Sequence, residues 1–143
     1  MVRPEIVRRK LLHLDGYLGE LEPYREITLD AYLALGGPRR AIERIVQLVI
    51  ETAVDINLHV ATEIEGRPPA DYRESFRAAA RIGLIQPALA GSLAPSSGLR
   101  NVLVHGYANI DDARVHAAIP LVLDGFREYA GAVLDWLDRQ PQG

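Results

Sequence analysis

No cysteine occurs among the 143 residues. That excludes disulfides, thiolate-held zinc and a thiol nucleophile, and it suits a reducing compartment. Lysine is almost missing as well. Lys10 is the only one, and all other side-chain positive charge is arginine. Arginine suits bidentate phosphate contacts, but a skew spread over the whole chain marks no site by itself. No uninterrupted apolar run of membrane-spanning length appears. Met1-Val2-Arg3-Pro4-Glu5 has no apolar region behind its charges. No signal peptide and no membrane association are therefore expected, and the cytoplasm is the expected location. A formal net charge of −3 argues against a dedicated duplex-DNA binder and leaves RNA contact at a local cleft open.

What is present is ordinary for a globular protein: 48% hydrophobic and 24% charged residues. A domain of this length buries roughly 68–70% of its unfolded surface. One domain over residues 1–143 is expected, with 1–4 and 138–143 as frayed ends.

The hydrophobic period is helical throughout. Ile6 to Leu21 carries apolar residues near helical spacing, up to Pro23. Leu29 to Leu35 reads as a short helix closed by Gly36-Gly37-Pro38. Arg39 to Ile64 has no internal Gly or Pro and predicts a helix of about 39 Å, ended by Gly66-Arg67-Pro68-Pro69. A helix opening at Ala70 or Asp71 runs to Arg81, with Glu74 supporting its start. Gln86 to Leu93 is the next helical stretch. Ser96 or Ser97 is expected to cap the helix carrying Leu99 to His105. Asp111 to Leu137 is the last helix, and Pro120 is expected to kink or divide it. The fold class is all-α: an up-and-down bundle of four to five main helices.

Chemistry concentrates in Arg100-Asn101-Val102-Leu103-Val104-His105-Gly106-Tyr107. Asn101 and His105 are i,i+4 neighbours on a helix and share a face. Gly106 reads as a helix end. Cutting RNA without a metal needs a base for the 2′-hydroxyl, an acid for the leaving 5′-oxygen and a cation for the phosphate. Histidine does the proton work near neutral pH. Arginine supplies paired donors to phosphoryl oxygens, and asparagine orients either group. One arginine and one histidine are half of such a site, so a two-fold dimer would complete it. From spacing alone, the same pair also reads as a histidine capping helix carbonyls beside a surface arginine, and Tyr107 as a buried ring.

The full wording Gly98-Leu99-Arg100-Asn101-Val102-Leu103-Val104-His105-Gly106-Tyr107 resembles the signature of the HepT-like toxins of the HEPN superfamily, an Arg, four residues, His, one residue, Tyr. Arg44-Ile45-Val46-Gln47 with Glu51 and Asp55 looks like that family's long helix. Pro69 to Phe76 looks like its next segment, and Asn109-Ile110-Asp111 fits the stretch after the tyrosine. The resemblance covers roughly residues 39–125. It implies a HEPN-like homodimeric fold and a metal-independent ribonuclease acting on RNA as a toxin, with no cofactor. It also implies a partner, a minimal nucleotidyltransferase antitoxin that transfers AMP onto Tyr107, with the dimer forming part of a larger hetero-oligomer. Arg100 and His105 become catalytic and Asn101 supporting. Nucleotides on Tyr107 would block the phosphate pocket.

Glu43, Gln47, Glu51, Asp55, His59 and Glu63 recur every fourth residue. Each step drifts about 40° around a helix, so only adjacent members face together. Glu51 and Asp55 could border the cleft, or bind a metal with His59. The Glu-x-x-His spacing of carboxylate metal bundles is absent, which favours a solvated face. His13 and His116 read as structural or surface residues, Phe126 and Trp136 as core or dimer interface. Two other functions compete: a non-catalytic helical docking subunit of a two-component nucleotidyltransferase, and a purely structural helical dimer. Neither needs the whole Arg-Asn…His…Tyr set.

Overall fold

The computed structural model describes residues 2–106 and 110–141. Its helices are α1 (Pro4–Leu21), α2 (Leu29–Leu33), α3 (Gly37–Glu65), α4 (Tyr72–Arg81), α5 (Pro87–Leu93), α6 (Ser96–His105) and α7 (Asp112–Arg139), with a 3₁₀ turn at Glu22–Tyr24 and no strand among the described residues.

Helix α3, 29 residues long, is the axis of the bundle. It packs against α1, α4, α6 and α7. Ile42, Val46, Val49, Ile50, Ala53 and Val60 are fully or almost fully buried along it, the stripe a core helix needs. By length and composition alone α3 could cross a membrane, and half of its most apolar window is buried inside the bundle. Local chemistry sets its ends. Gly36 precedes it at φ 65°, and Gly66 closes it at φ 81°, donating its N–H to the Thr62 carbonyl. Only glycine takes that left-handed conformation without strain. Asp71 caps α4, its carboxylate accepting from the Glu74 N–H at 2.8 Å.

One local expectation is corrected and a second is narrowed. Neither Ser96 nor Ser97 caps the N-terminus of α6. Their hydroxyls instead donate to the carbonyls of Leu93 (2.6 Å) and Ala94 (2.8 Å), because only two residues separate α5 from α6 and the last carbonyls of α5 need partners. Pro120 lies inside α7 without dividing it. Proline removes one helical N–H, but Ile119, Val122, Leu123 and Phe126 are buried on either side of it, and their packing carries the helix through.

The core contains one neutral polar node. Tyr129 donates its hydroxyl to Asn57 Oδ1 (2.6 Å) and lies 3.0 Å from the Ala53 carbonyl. Asn57 Nδ2 donates to Ser75 Oγ at 3.3 Å, and Ser75 Oγ donates to the Tyr72 carbonyl at 2.7 Å. The node ties α7 to α3, and α3 to the first turn of α4. Phe126 and Trp136 are core residues. His13 is exposed, and His116 donates from Nε2 to the Ile27 carbonyl at 2.6 Å.

Candidate active site

Helix α6 carries the Arg-Asn…His segment. Leu99 and Leu103, four apart, are buried in the bundle, which fixes the rotation of the helix about its axis. Gly106 ends it, with its N–H on the Val102 carbonyl at 2.8 Å. A Cβ at this position would come within 2.9 Å of that oxygen, so the close approach itself selects glycine.

That rotation turns Arg100 inward and leaves Asn101 and His105 exposed. Arg100 and His105 are about 140° apart around the helix at about 100° per residue. Among the described residues no hydrogen bond or ion pair joins them. Arg100 reaches α3 instead. Its Nε and Nη2 donate to Glu51 Oε2 at 3.1 and 2.9 Å. Glu51 Oε1 accepts from Gln47 Nε2 at 3.2 Å, one turn back on the same helix. The Tyr72 ring lies against the guanidinium, 4.6 Å from Cζ to the ring centre, a cation–π distance. Burial pushes the Tyr72 phenol above its ordinary value. Arg100 pulls it back, and Glu51 and Asp55 push it further.

The four-residue stripe on α3 winds as its drift requires. Glu43 is buried, Gln47 and Glu51 are half-buried, and Asp55 and Glu63 are exposed. A solvated face therefore describes only one end of it. Burial is the main cause holding Glu43 above the usual carboxylate range. Asp112 adds to this, and Arg40 and Arg39 oppose it. Glu51 joins the Arg100 site. Asp55 faces Lys10, with Nζ 3.7 Å away, and His59 Nε2 accepts from the Arg3 N–H at 3.3 Å. Glu51, Asp55 and His59 thus turn to three different partners, and no group of three or more His, Asp or Glu among the described residues is arranged to hold a metal ion. Tyr107 and Asn109 lie outside the described residues.

Tyr72 is the site residue that sequence reasoning misses. It stands 28 positions before Arg100, and no spacing rule links them. Gln47 to Glu51 is an ordinary i,i+4 pair, legible as a contact but not as a support for Arg100. On the other flank of α6, Leu99 lines an apolar cleft of about 330 Å³ between α5, α6 and α7, where Leu121 is 73% exposed.

The chain is similar to proteins of known family along almost its whole length. The family model for ribonuclease HepT-like proteins matches residues 14–133. The tRNA nuclease HepT of Aphanizomenon flos-aquae is 33% identical over 136 residues, 95% of this chain and 92% of that protein. A tri-AMPylated HEPN toxin of Shewanella oneidensis, solved in complex with an MNT antitoxin, superposes with a TM-score of 0.81 at 20% identity, covering 93% of this chain and 99% of that one. A toxin–antitoxin crystal structure with AMP-PNP has a TM-score of 0.80 at 19% identity, covering 92% of this chain and 98% of that one.

Proposed function

Because the chain belongs to the ribonuclease HepT-like family, and is a ribonuclease by that membership, we propose that it is a metal-independent endoribonuclease, the toxin of a toxin–antitoxin pair. One observation carries the reading. Helix α6 holds Arg100 in an ordered pocket and leaves Asn101 and His105 exposed on a different side. That is half of an acid–base site, and a second copy completes it across a two-fold cleft. Leu121, exposed on α7 beside α6, offers apolar surface for such a pairing.

One His105 takes the proton of the 2′-hydroxyl, and its oxygen attacks phosphorus. The bond from phosphorus to the 5′-oxygen breaks, and the second His105 protonates that oxygen. Arg100 holds the non-bridging oxygens as charge builds on them. Asn101 orients the histidine on its own face. Glu51, and Asp55 one turn along α3, border the cleft. The antitoxin is a nucleotidyltransferase that adds AMP to Tyr107, two residues past His105, and fills the phosphate pocket with anionic groups. The AMPylated, antitoxin-bound Shewanella toxin of the same fold supports this step. The whole chain works as one domain, in the cytoplasm.

The test is expression without any partner. Wild type arrests growth and degrades RNA. Arg100→Ala and His105→Ala each lose about 10²–10³-fold of the cleavage rate. Harmless wild type that leaves purified RNA intact would hand the chain to the docking-subunit reading. Intact mass after co-expression with the neighbouring transferase should rise by AMP units, and Tyr107→Phe should abolish the increment.

A further inference from the structure

A guanidinium has two hydrogen-bonding edges. The side edge pairs Nε–H with one Nη–H, and the end edge lies between Nη1 and Nη2. In Arg100, Glu51 Oε2 takes the side edge through Nε and Nη2. Tyr72 covers one flat face. Among the described residues no partner engages Nη1. The end edge and the other face are what remain for a ligand.

Two supports hold this arrangement from opposite sides. Gln47 anchors the second oxygen of Glu51, so the carboxylate is fixed at both ends. The first turn of α4 anchors Tyr72, whose carbonyl accepts from Ser75, itself tied to Asn57 in the core. The arginine and glutamate side chains are 21% and 24% exposed, which strengthens their pairing over that of a surface ion pair. The negative charge also matters. A paired arginine attracts a polyanion less in the ground state, while its aimed donors still meet the charge that develops at phosphorus.

We propose that Glu51 and Tyr72 are positioning residues that present Arg100 to the RNA phosphate through its end edge, Nη1 and Nη2, with Glu51 staying in place. The proposal rests on the ribonuclease reading above. The competing picture makes Glu51 a phosphate mimic that RNA must displace.

Steady-state RNA cleavage by the purified full chain separates the two. Glu51→Gln should lower kcat about 10- to 100-fold through lost aim, while KM stays level or falls because a negative charge has gone. Tyr72→Ala should also lower kcat, and Tyr72→Phe, which keeps the ring, should restore most of it. A Glu51→Gln protein with unchanged or raised kcat overturns the proposal. A second readout needs no turnover, and its one variant, the charge-conserving Arg100→Lys, serves only to assign a signal. The ¹⁵N Nε–Hε signal of Arg100 in the wild type, assigned by its loss in Arg100→Lys, is tracked as an uncleavable 2′-deoxy oligonucleotide is added. Positioning requires that signal to stay while the Nη signals move. Movement of Hε toward its solvent value shows Glu51 displaced and overturns the proposal. If wild type leaves RNA uncut, the ribonuclease reading is the one that fails, and this signal still decides how the guanidinium meets phosphate.

Discussion

Glu51 and Asn57 stand six residues apart on α3, and each anchors a polar cluster of opposite character. Around Asn57 everything is neutral and buried. Asn57, Ser75 and Tyr129 are all 0% exposed, and burial raises the Tyr129 phenol well above its ordinary value, so its hydroxyl stays a donor. The node closes on itself and ties helices together. Around Glu51 the groups are charged and partly open, and Arg100 keeps an edge in reserve. Burying a charge costs far more than burying a hydrogen-bonded amide, which is why the neutral cluster sits in the core and the charged one at the rim. The neutral node holds helices together and steadies the first turn of α4. The charged one, with an unused guanidinium edge, can bind.

The sharpest way to break this contrast is Tyr129→Phe. It strands Asn57 Oδ1 in the core, which should cost about 1–3 kcal/mol, measured by urea denaturation. Cleavage per folded molecule should stay near that of wild type. An equal loss of kcat would show that the node serves catalysis directly and erase the distinction.

Glu43 tests the cost of a carboxylate at the buried end of the same helix. Its pKa is raised in the folded chain, chiefly by burial, so the folded state holds the proton more tightly than the unfolded one. Its contribution to stability is fully present below the ordinary carboxylate pKa and is lost as pH rises through the raised value. Glu43→Gln should therefore raise the Tm at pH 7, by less than Tyr129→Phe lowers it, and the gain should vanish near pH 4. A gain equal at both pH values would remove ionisation as its cause.

The smallest effect belongs to Arg81, whose Nε and Nη2 meet Glu65 at 2.7 and 2.8 Å. This matches Arg100–Glu51 in chemistry but not in exposure, the arginine side chain here being 51% exposed. Arg81→Ala should shift denaturation barely measurably and less still in high salt. A large, salt-insensitive loss would show that exposure does not separate the two ion pairs.

Much of the fold is readable because its signals are local. Gly36 and Gly66 bound α3 by backbone geometry, Asp71 caps through a side chain three residues from its donor, and the apolar period of α3 repeats within a few turns. Ser96 and Ser97 carry the right chemistry for a cap, but where α5 ends decides which backbone groups they meet. Pro120 carries a helix-breaking signal that core packing outweighs. At the site, Arg100, Asn101 and His105 stand out by wording. Of their supports, Glu51 is legible only as a residue bordering the cleft and Tyr72 not at all, since they lie 49 and 28 residues from Arg100, and periodicity names the face of a helix without naming its neighbour.

By itself the sequence determined the helices, most of their ends, the lack of cysteine chemistry and the segment that carries the arginine and the histidine. All of these depend on interactions within a few residues along the chain. Only the tertiary structure decided that Arg100 turns inward against Glu51 and Tyr72 while His105 stays exposed. The reason is packing. Burying Leu99 and Leu103 sets the rotation of α6, and that rotation, not the motif, assigns each polar side chain its surroundings.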